Sequence, residues 1–169
     1  MVSKARKKFF SKFYDQYVEK IYRFIFLKIN SPEVSQDLTA ETFTRFWKQL
    51  ESATEIENPR AFVYSVARHL VIDHYRKGKF ETFKIESVQI QDQSLGLEQK
   101  EILSSDIKDL KAGLRNLSED YQDAIIWYYL DGFTVFQIAE MMDKTENATR
   151  VTIHRALNAL RAQMEGKNV

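Results

Sequence analysis

The chain has 169 residues, 44% hydrophobic and 29% charged, which is enough apolar side chain for one large or two small cores and excludes a chain disordered throughout. It has no cysteine, which excludes disulfides, cysteine-based zinc sites and thiol catalysis and fits a reducing compartment. Net charge is only +1, but residues 1–30 carry eight Lys/Arg against two Asp/Glu, residues 31–58 two against six, and residues 59–84 six against two. That alternation fits either partners of different sign or ordinary solvated helix faces.

Taken in chain order, Phe10, Phe13, Tyr14, Tyr17, Ile21, Phe24 and Ile25 recur at helical spacing and predict a long amphipathic helix over about 3–29. Asn30-Ser31-Pro32 breaks it. A second helix runs to about Leu50 with Phe43, Phe46, Trp47 and Leu50 as its apolar stripe. A third opens near Pro59, proline being tolerated in a first helical turn, and turns Phe62, Val63, Val66, Ala67, Leu70 and Val71 inward. Residues from Gly78 to Gly96 have no clear period and read as a linker. Periodicity returns with Leu103, Ile107, Leu110, Leu114 and Leu117. Ser118 then reads as an N-cap with Glu119 and Asp120 in the first turn. That helix is expected to stop at Asp131-Gly132. Thr134 and Gln137 have capping-box spacing, and a last helix begins near Thr145 and reaches about Glu165. The expected fold is therefore all-α: three helices, a linker, then four shorter helices.

No apolar run is long enough to span a bilayer, and the basic segment Met1–Lys12 lacks the apolar stretch of a signal peptide. A cytoplasmic protein without membrane insertion is expected. Catalysis is not. None of His69, His74 and His154 has a Glu three residues before it, and there is neither an HExxH motif nor a phosphate-binding glycine loop. No cofactor, metal or small-molecule substrate is implied.

Residues 134–156, TVFQIAEMMDKTENATRVTIHRA, have the length and spacing of a helix-turn-helix. Ile138, Ala139 and Met142 point inward on the first helix, and Ile153, Ala156, Leu157 and Leu160 on the second. The outward face presents Arg150, Val151, His154, Arg155 and Asn158. Arginine can pair bidentately with guanine, an exposed valine can meet a thymine methyl, and Thr134 and Thr145 stand at helix N-termini where backbone N–H groups can hold phosphates. The competing reading is a helical hairpin with a solvated basic face.

At this point the chain resembles the extracytoplasmic-function sigma factors of the sigma-70 family. The resemblance is carried in order by FSKFYDQYVEKIYRF, SQDLTAETFTRFWKQL, NPRAFVYSVARHLVIDHYRK, LSEDYQDAIIWYYLDGFTVFQIAEMM and NATRVTIHRALNALR. It implies a region 2 domain over 1–78 that binds core RNA polymerase and the −10 element, a linker over 79–97, and a region 4 domain over 98–169 that binds the −35 element. Implied partners are the β′ clamp helices and β-flap of core polymerase, promoter DNA, and an anti-sigma factor. The resemblance assigns clamp binding to the polar face of the second helix, Asp37, Glu41, Thr44 and Lys48. It assigns −10 binding to the third helix, with Arg60, Tyr64, Ser65, Arg68, His69, Arg76 and Lys77 as candidates, Tyr64 and His69 for unstacked bases. The −35 candidates are Thr134, Thr145, Ala148, Arg150, Val151, His154 and Arg155. Departures from the family pattern are Ala40, Phe62, His69, Lys144, Asn147, Val151 and Thr152, so a relative's −35 preference does not transfer. The alternatives are a one-component helix-turn-helix regulator acting without polymerase, and a helical adaptor that binds protein only.

Overall fold

The computed structural model describes residues 3–52, 54–78 and 106–166. The expected linker, 79–97, and the first residues expected in the second domain, 98–105, lie outside them. The chain divides into two compact units, Met1–Gln91 and Asp92–Val169, and the described residues hold helices and no strand.

The first unit contains α1 (Lys4–Ile29), α2 (Pro32–Glu51) and α3 (Pro59–Gly78). Ser3 starts α1 by accepting from the Arg6 N–H at 3.2 Å. Asn30 stops it in the left-handed region (φ 62°), a conformation asparagine tolerates better than most residues, and returns its N–H to the Phe26 carbonyl at 2.9 Å. Ser31 caps α2 at once, accepting from Val34 N–H at 3.3 Å with Pro32 in the first turn. So short a link folds α2 back along α1. Asn58 opens α3 by accepting from Ala61 N–H at 3.1 Å.

Between the helices lies an aromatic seam. Phe13 packs on Phe46 with ring centroids 4.8 Å apart and on Tyr17 at 4.4 Å. Phe46 also meets Phe10 and Phe62. Lower in the unit, Ile21, Phe24 and Ile25 of α1 are buried with Val63, Tyr64, Ala67 and Val71 of α3. The buried hydroxyls of Thr39 and Thr42 donate to the Ser35 and Leu38 carbonyls at 2.6 and 2.7 Å, so neither is an orphan donor.

The second unit contains α4 (Asp106–Leu114), α5 (Glu119–Ile125), α6 (Val135–Met142) and α7 (Glu146–Glu165). Ser118 caps α5, accepting from Tyr121 N–H at 3.4 Å. The Gln122 side chain donates to the Leu114 and Leu117 carbonyls at the end of α4. Two expectations need correction. The last helix has the expected bounds, but at twenty residues α7 is no shorter than α2 and α3, so not all four helices of this unit are shorter. The helix begun at Ser118 does not reach Asp131 as a regular helix, because Ile126–Leu130 forms one π-helical turn closed by Asp131 N–H on the Ile126 carbonyl at 2.9 Å. Asp123–Trp127, five consecutive residues, are all buried, so this stretch is enclosed on every side rather than amphipathic. Gly113 lets α4 approach α7, since a Cβ there would lie 2.7 Å from Leu160 Cδ1.

The turn from α6 to α7 sets the helix-turn-helix. A capping box starts α6: Thr134 accepts from Gln137 N–H at 3.1 Å, and the Gln137 side chain accepts from Thr134 N–H at 3.0 Å. Asp143 ends it in the left-handed region (φ 54°), and Lys144 N–H donates to the Ala139 carbonyl at 3.0 Å. Thr145 then caps α7 by accepting from Ala148 N–H at 3.1 Å. The side chain of Lys144 pairs with Asp120 in the first turn of α5 at 3.0 Å, tying the turn to the helix before it.

Asp143→Val is expected to destabilise the protein by about 1–2 kcal/mol, because a β-branched residue resists a positive φ. Asp143→Gly is expected to hold or raise stability, by up to about 1 kcal/mol. Thermal denaturation followed by circular dichroism distinguishes them.

Candidate nucleic-acid interface

On α7, burial of Thr149, Ile153, Ala156 and Leu160 leaves the opposite face to solvent. Thr145, Ala148, Arg150, Val151, His154 and Arg155 are all exposed there, as is Thr134 at the start of α6. The helix-turn-helix therefore brings the seven −35 candidates out of the core. The two threonine hydroxyls are engaged as N-caps. Arg150 is held by its own helix: its Nη2 pairs with Glu146 at 3.2 Å and its Nη1 donates to Asn147 Oδ1 at 3.1 Å. Neither Glu146 nor Asn147 was singled out as a site residue in the sequence, although their spacing from Arg150, four and three residues, is that of helical neighbours.

The third-helix candidates separate. His69, Arg76 and Lys77 are exposed, and Arg60, Ser65 and Arg68 are half-buried. Tyr64 is corrected: it is 1% exposed, and its ring packs edge-on against Phe24 at 5.5 Å. Tyr64 shares i, i+4 spacing with the half-buried Arg60 and Arg68, but it stands beside Val63, Ala67 and Val71 in the buried arc of α3, against Phe24 of α1. A ring without accessible faces is a core group and offers no stacking surface. His69 has a defined orientation: its Nδ1 lies 2.7 Å from the Ser65 carbonyl. A carbonyl only accepts, so Nδ1 carries the proton and Nε2 of the neutral ring is left as an acceptor.

The polar face of α2 is also turned outward. Asp37, Glu41, Thr44 and Lys48 are all exposed, and Glu41 pairs with Arg45 at 2.9 Å. Thr44 borders a second feature that the sequence reading missed. Lys7, Phe10 and Tyr14 of α1 and Ala40, Phe43, Thr44 and Trp47 of α2 line a shallow, open groove, where Phe10 packs on Trp47 at 5.1 Å and Tyr14 on Phe43 at 4.9 Å. The signal was an excess of aromatic residues at positions 10, 14, 43 and 47, more than one seam can bury. In the second unit the exposed aromatics are Tyr128, Tyr129 and Phe136, the last 57% exposed. They were likewise unassigned; Tyr128 and Tyr129 lie in the π turn, which shifts the inward phase of the chain at Ile126, and Phe136 lies on the outer face of α6. Among the described residues no group of His, Asp and Glu is placed to hold a metal ion, and no helix is long and apolar enough to cross a membrane.

Comparison with known proteins yields two family matches. Residues 13–81 match sigma-70 region 2 and residues 107–160 match sigma-70 region 4. The chain is 32% identical over 136 residues to the ECF RNA polymerase sigma factor ShbA of Streptomyces griseus, covering 77% of this chain and 71% of that one. It is 25% identical over 162 residues to the ECF RNA polymerase sigma factor SigX of Bacillus subtilis, covering 92% and 84%. Its fold is that of the sigma factor RpoE in the structure with the anti-sigma factor NepR from Bartonella quintana, with a TM-score of 0.70 at 23% identity over 94% of this chain and 98% of that one.

Tyr64→Ala is expected to cost about 3–5 kcal/mol of stability, as a large aromatic deleted from a core does. Unchanged urea unfolding of the variant would place the ring outside the core.

Proposed function

The chain belongs to the extracytoplasmic-function sigma factors of the sigma-70 family, and on that premise we propose how its surfaces divide the work of directing core RNA polymerase to a promoter. Sigma factors are transcription initiation factors, and we read this one as a cytoplasmic protein without catalysis of its own. The observation that carries the reading is the pairing, in one chain, of a region 2 match with a region 4 match whose helix-turn-helix presents Arg150 and Arg155 to solvent. The region 2 match also sets aside the one-component regulator, which would carry a sensor or receiver in place of residues 13–81.

The proposed division follows the charge and shape of each face. The region 2 domain, 1–78, grips the β′ clamp helices. Asp37 and Glu41 supply negative charge for basic residues of the clamp, and the shallow aromatic-lined groove beside Thr44 offers apolar contact area. On α3, Arg60, Arg68, Arg76 and Lys77 neutralise phosphates of the opened −10 strand. His69 Nε2 accepts from an exocyclic amine of an unstacked base. After the linker, 79–97, the region 4 domain, 98–169, lays α7 in the major groove of the −35 element. There Arg150 and Arg155 supply base and phosphate contacts, and Val151 meets a thymine methyl. Tyr128, Tyr129 and Phe136 offer apolar area to the β-flap. An anti-sigma factor that covered either domain would silence the protein. The RpoE–NepR structure supports such a partner here.

The purified chain is expected to co-elute with bacterial core RNA polymerase on a sizing column; a chain that elutes alone would refute the reading. Reversal of Asp37 and Glu41 to lysine is expected to weaken that association at least about tenfold while preserving the helical circular dichroism signal. Equal affinity in the folded double variant would remove these residues from the interface. Arg150→Ala and Arg155→Ala are each expected to weaken −35 recognition, by about 1–3 kcal/mol where the lost contact is bidentate, as read from promoter binding by reconstituted holoenzyme.

A further inference from the structure

On the exposed face of α7 the Arg150 guanidinium is held at two of its nitrogens, and both restraints come from the first turn of its own helix. Glu146 Oε2 accepts from Nη2 at 3.2 Å and Asn147 Oδ1 accepts from Nη1 at 3.1 Å. All three side chains are exposed, so this is not a device of the core. A guanidinium has five N–H donors, and two such bonds leave three, one on each terminal nitrogen and the one on Nε. Those three suffice for the two parallel bonds that guanine O6 and N7 require.

A free arginine on a helix surface loses side-chain rotamer freedom when it docks on a base. The contacts with Glu146 and Asn147 favour the rotamers in which Arg150 lies over the first turn of α7, so less freedom is left to lose on docking. The restraints draw the guanidinium toward the N-terminal end of α7, the end that a recognition helix places against base edges. Charge gives a second argument. On a surface that met only phosphates, the Glu146 carboxylate would oppose binding, since affinity for the backbone rises with positive charge. Beside Arg150 the same carboxylate disfavours a phosphate as the arginine's partner and leaves a base edge as the better one.

We propose that Glu146 and Asn147 are positioning residues that make Arg150 a reader of one G·C pair in the duplex bound by α7. The inference rests on the reading of α7 as the −35 helix. It assigns specificity to a carboxylate that itself reduces general affinity for DNA, a combination that a merely structural surface ion pair does not produce. Such a pair at i, i+4 contributes little to the stability of an exposed helix.

The test uses holoenzyme reconstituted from bacterial core polymerase and the full chain. A duplex library randomised over the −35 region is presented, and bound sequences are counted for the wild type and for Arg150→Ala, Glu146→Ala, Glu146→Gln and Asn147→Ala. Arg150→Ala is expected to erase a G·C preference at one position. Glu146→Ala is expected to reduce the preference at that same position about tenfold, leave the other positions unchanged, and raise binding to non-promoter duplex. Glu146→Gln, which retains an acceptor oxygen, keeps most of the discrimination and also binds non-promoter duplex more tightly. If Arg150→Ala erases the preference while Glu146→Ala and Asn147→Ala leave it intact, the positioning role is overturned and the −35 reading stands. If Arg150→Ala erases no preference, Arg150 is not a base reader and both assignments fall.

Discussion

Phe46 has no exposed surface and touches rings from two other helices: Phe10 and Phe13 of α1, and Phe62 of α3. Much of the first unit depends on that burial. A buried aromatic side chain contributes roughly 1.5–3 kcal/mol by the area it removes from water, and here several contribute along one seam. Once Phe43 and Phe46 face inward, the 100° step of the helix turns Asp37, Glu41, Thr44 and Lys48 to solvent. The polar face of α2 is thus a geometric consequence of the apolar one. The same seam leaves Trp47 half-buried and Tyr14 exposed at its margin, and they line the shallow groove next to Thr44.

In the second unit the equivalent constraint is a backbone one. The left-handed Asp143 stops α6 after eight residues, and Thr145 starts α7 two residues later. So brief a connection holds α6 and α7 in a crossed pair, with Ala139 and Ala156 buried. The ion pair of Lys144 with Asp120 ties the turn to α5. The capped turn sets the direction in which α7 exposes Arg150 and Arg155.

Helices were legible because their ends carry specific chemistry. Ser31 with Pro32, Ser118, Thr134 with Gln137, and Thr145 each announce a start, and each is a cap in the structure. Faces were less legible. A single period predicts one buried arc per helix, which held for α2 and α7. It failed for α3, whose buried arc extends to Tyr64, and for Asp123–Trp127, where the chain is enclosed and a π turn breaks the phase. Side-chain pairs within a helix, such as Arg150 with Glu146, are implied by spacing alone. Which of many such spacings becomes a contact is decided by rotamers, which sequence does not encode.

These pieces converge on a protein that acts through polymerase. One unit exposes Asp37 and Glu41 beside an aromatic-lined groove, and the other exposes Arg150 and Arg155 on its helix-turn-helix. Run-off transcription on templates carrying candidate promoters, with bacterial core RNA polymerase in the presence and absence of the chain, tests this most directly. The account predicts transcripts with a single defined start that appear only when the chain is added and vanish when the −35 or −10 segment is scrambled. The same transcripts from core polymerase alone, or starts indifferent to both segments, would contradict it.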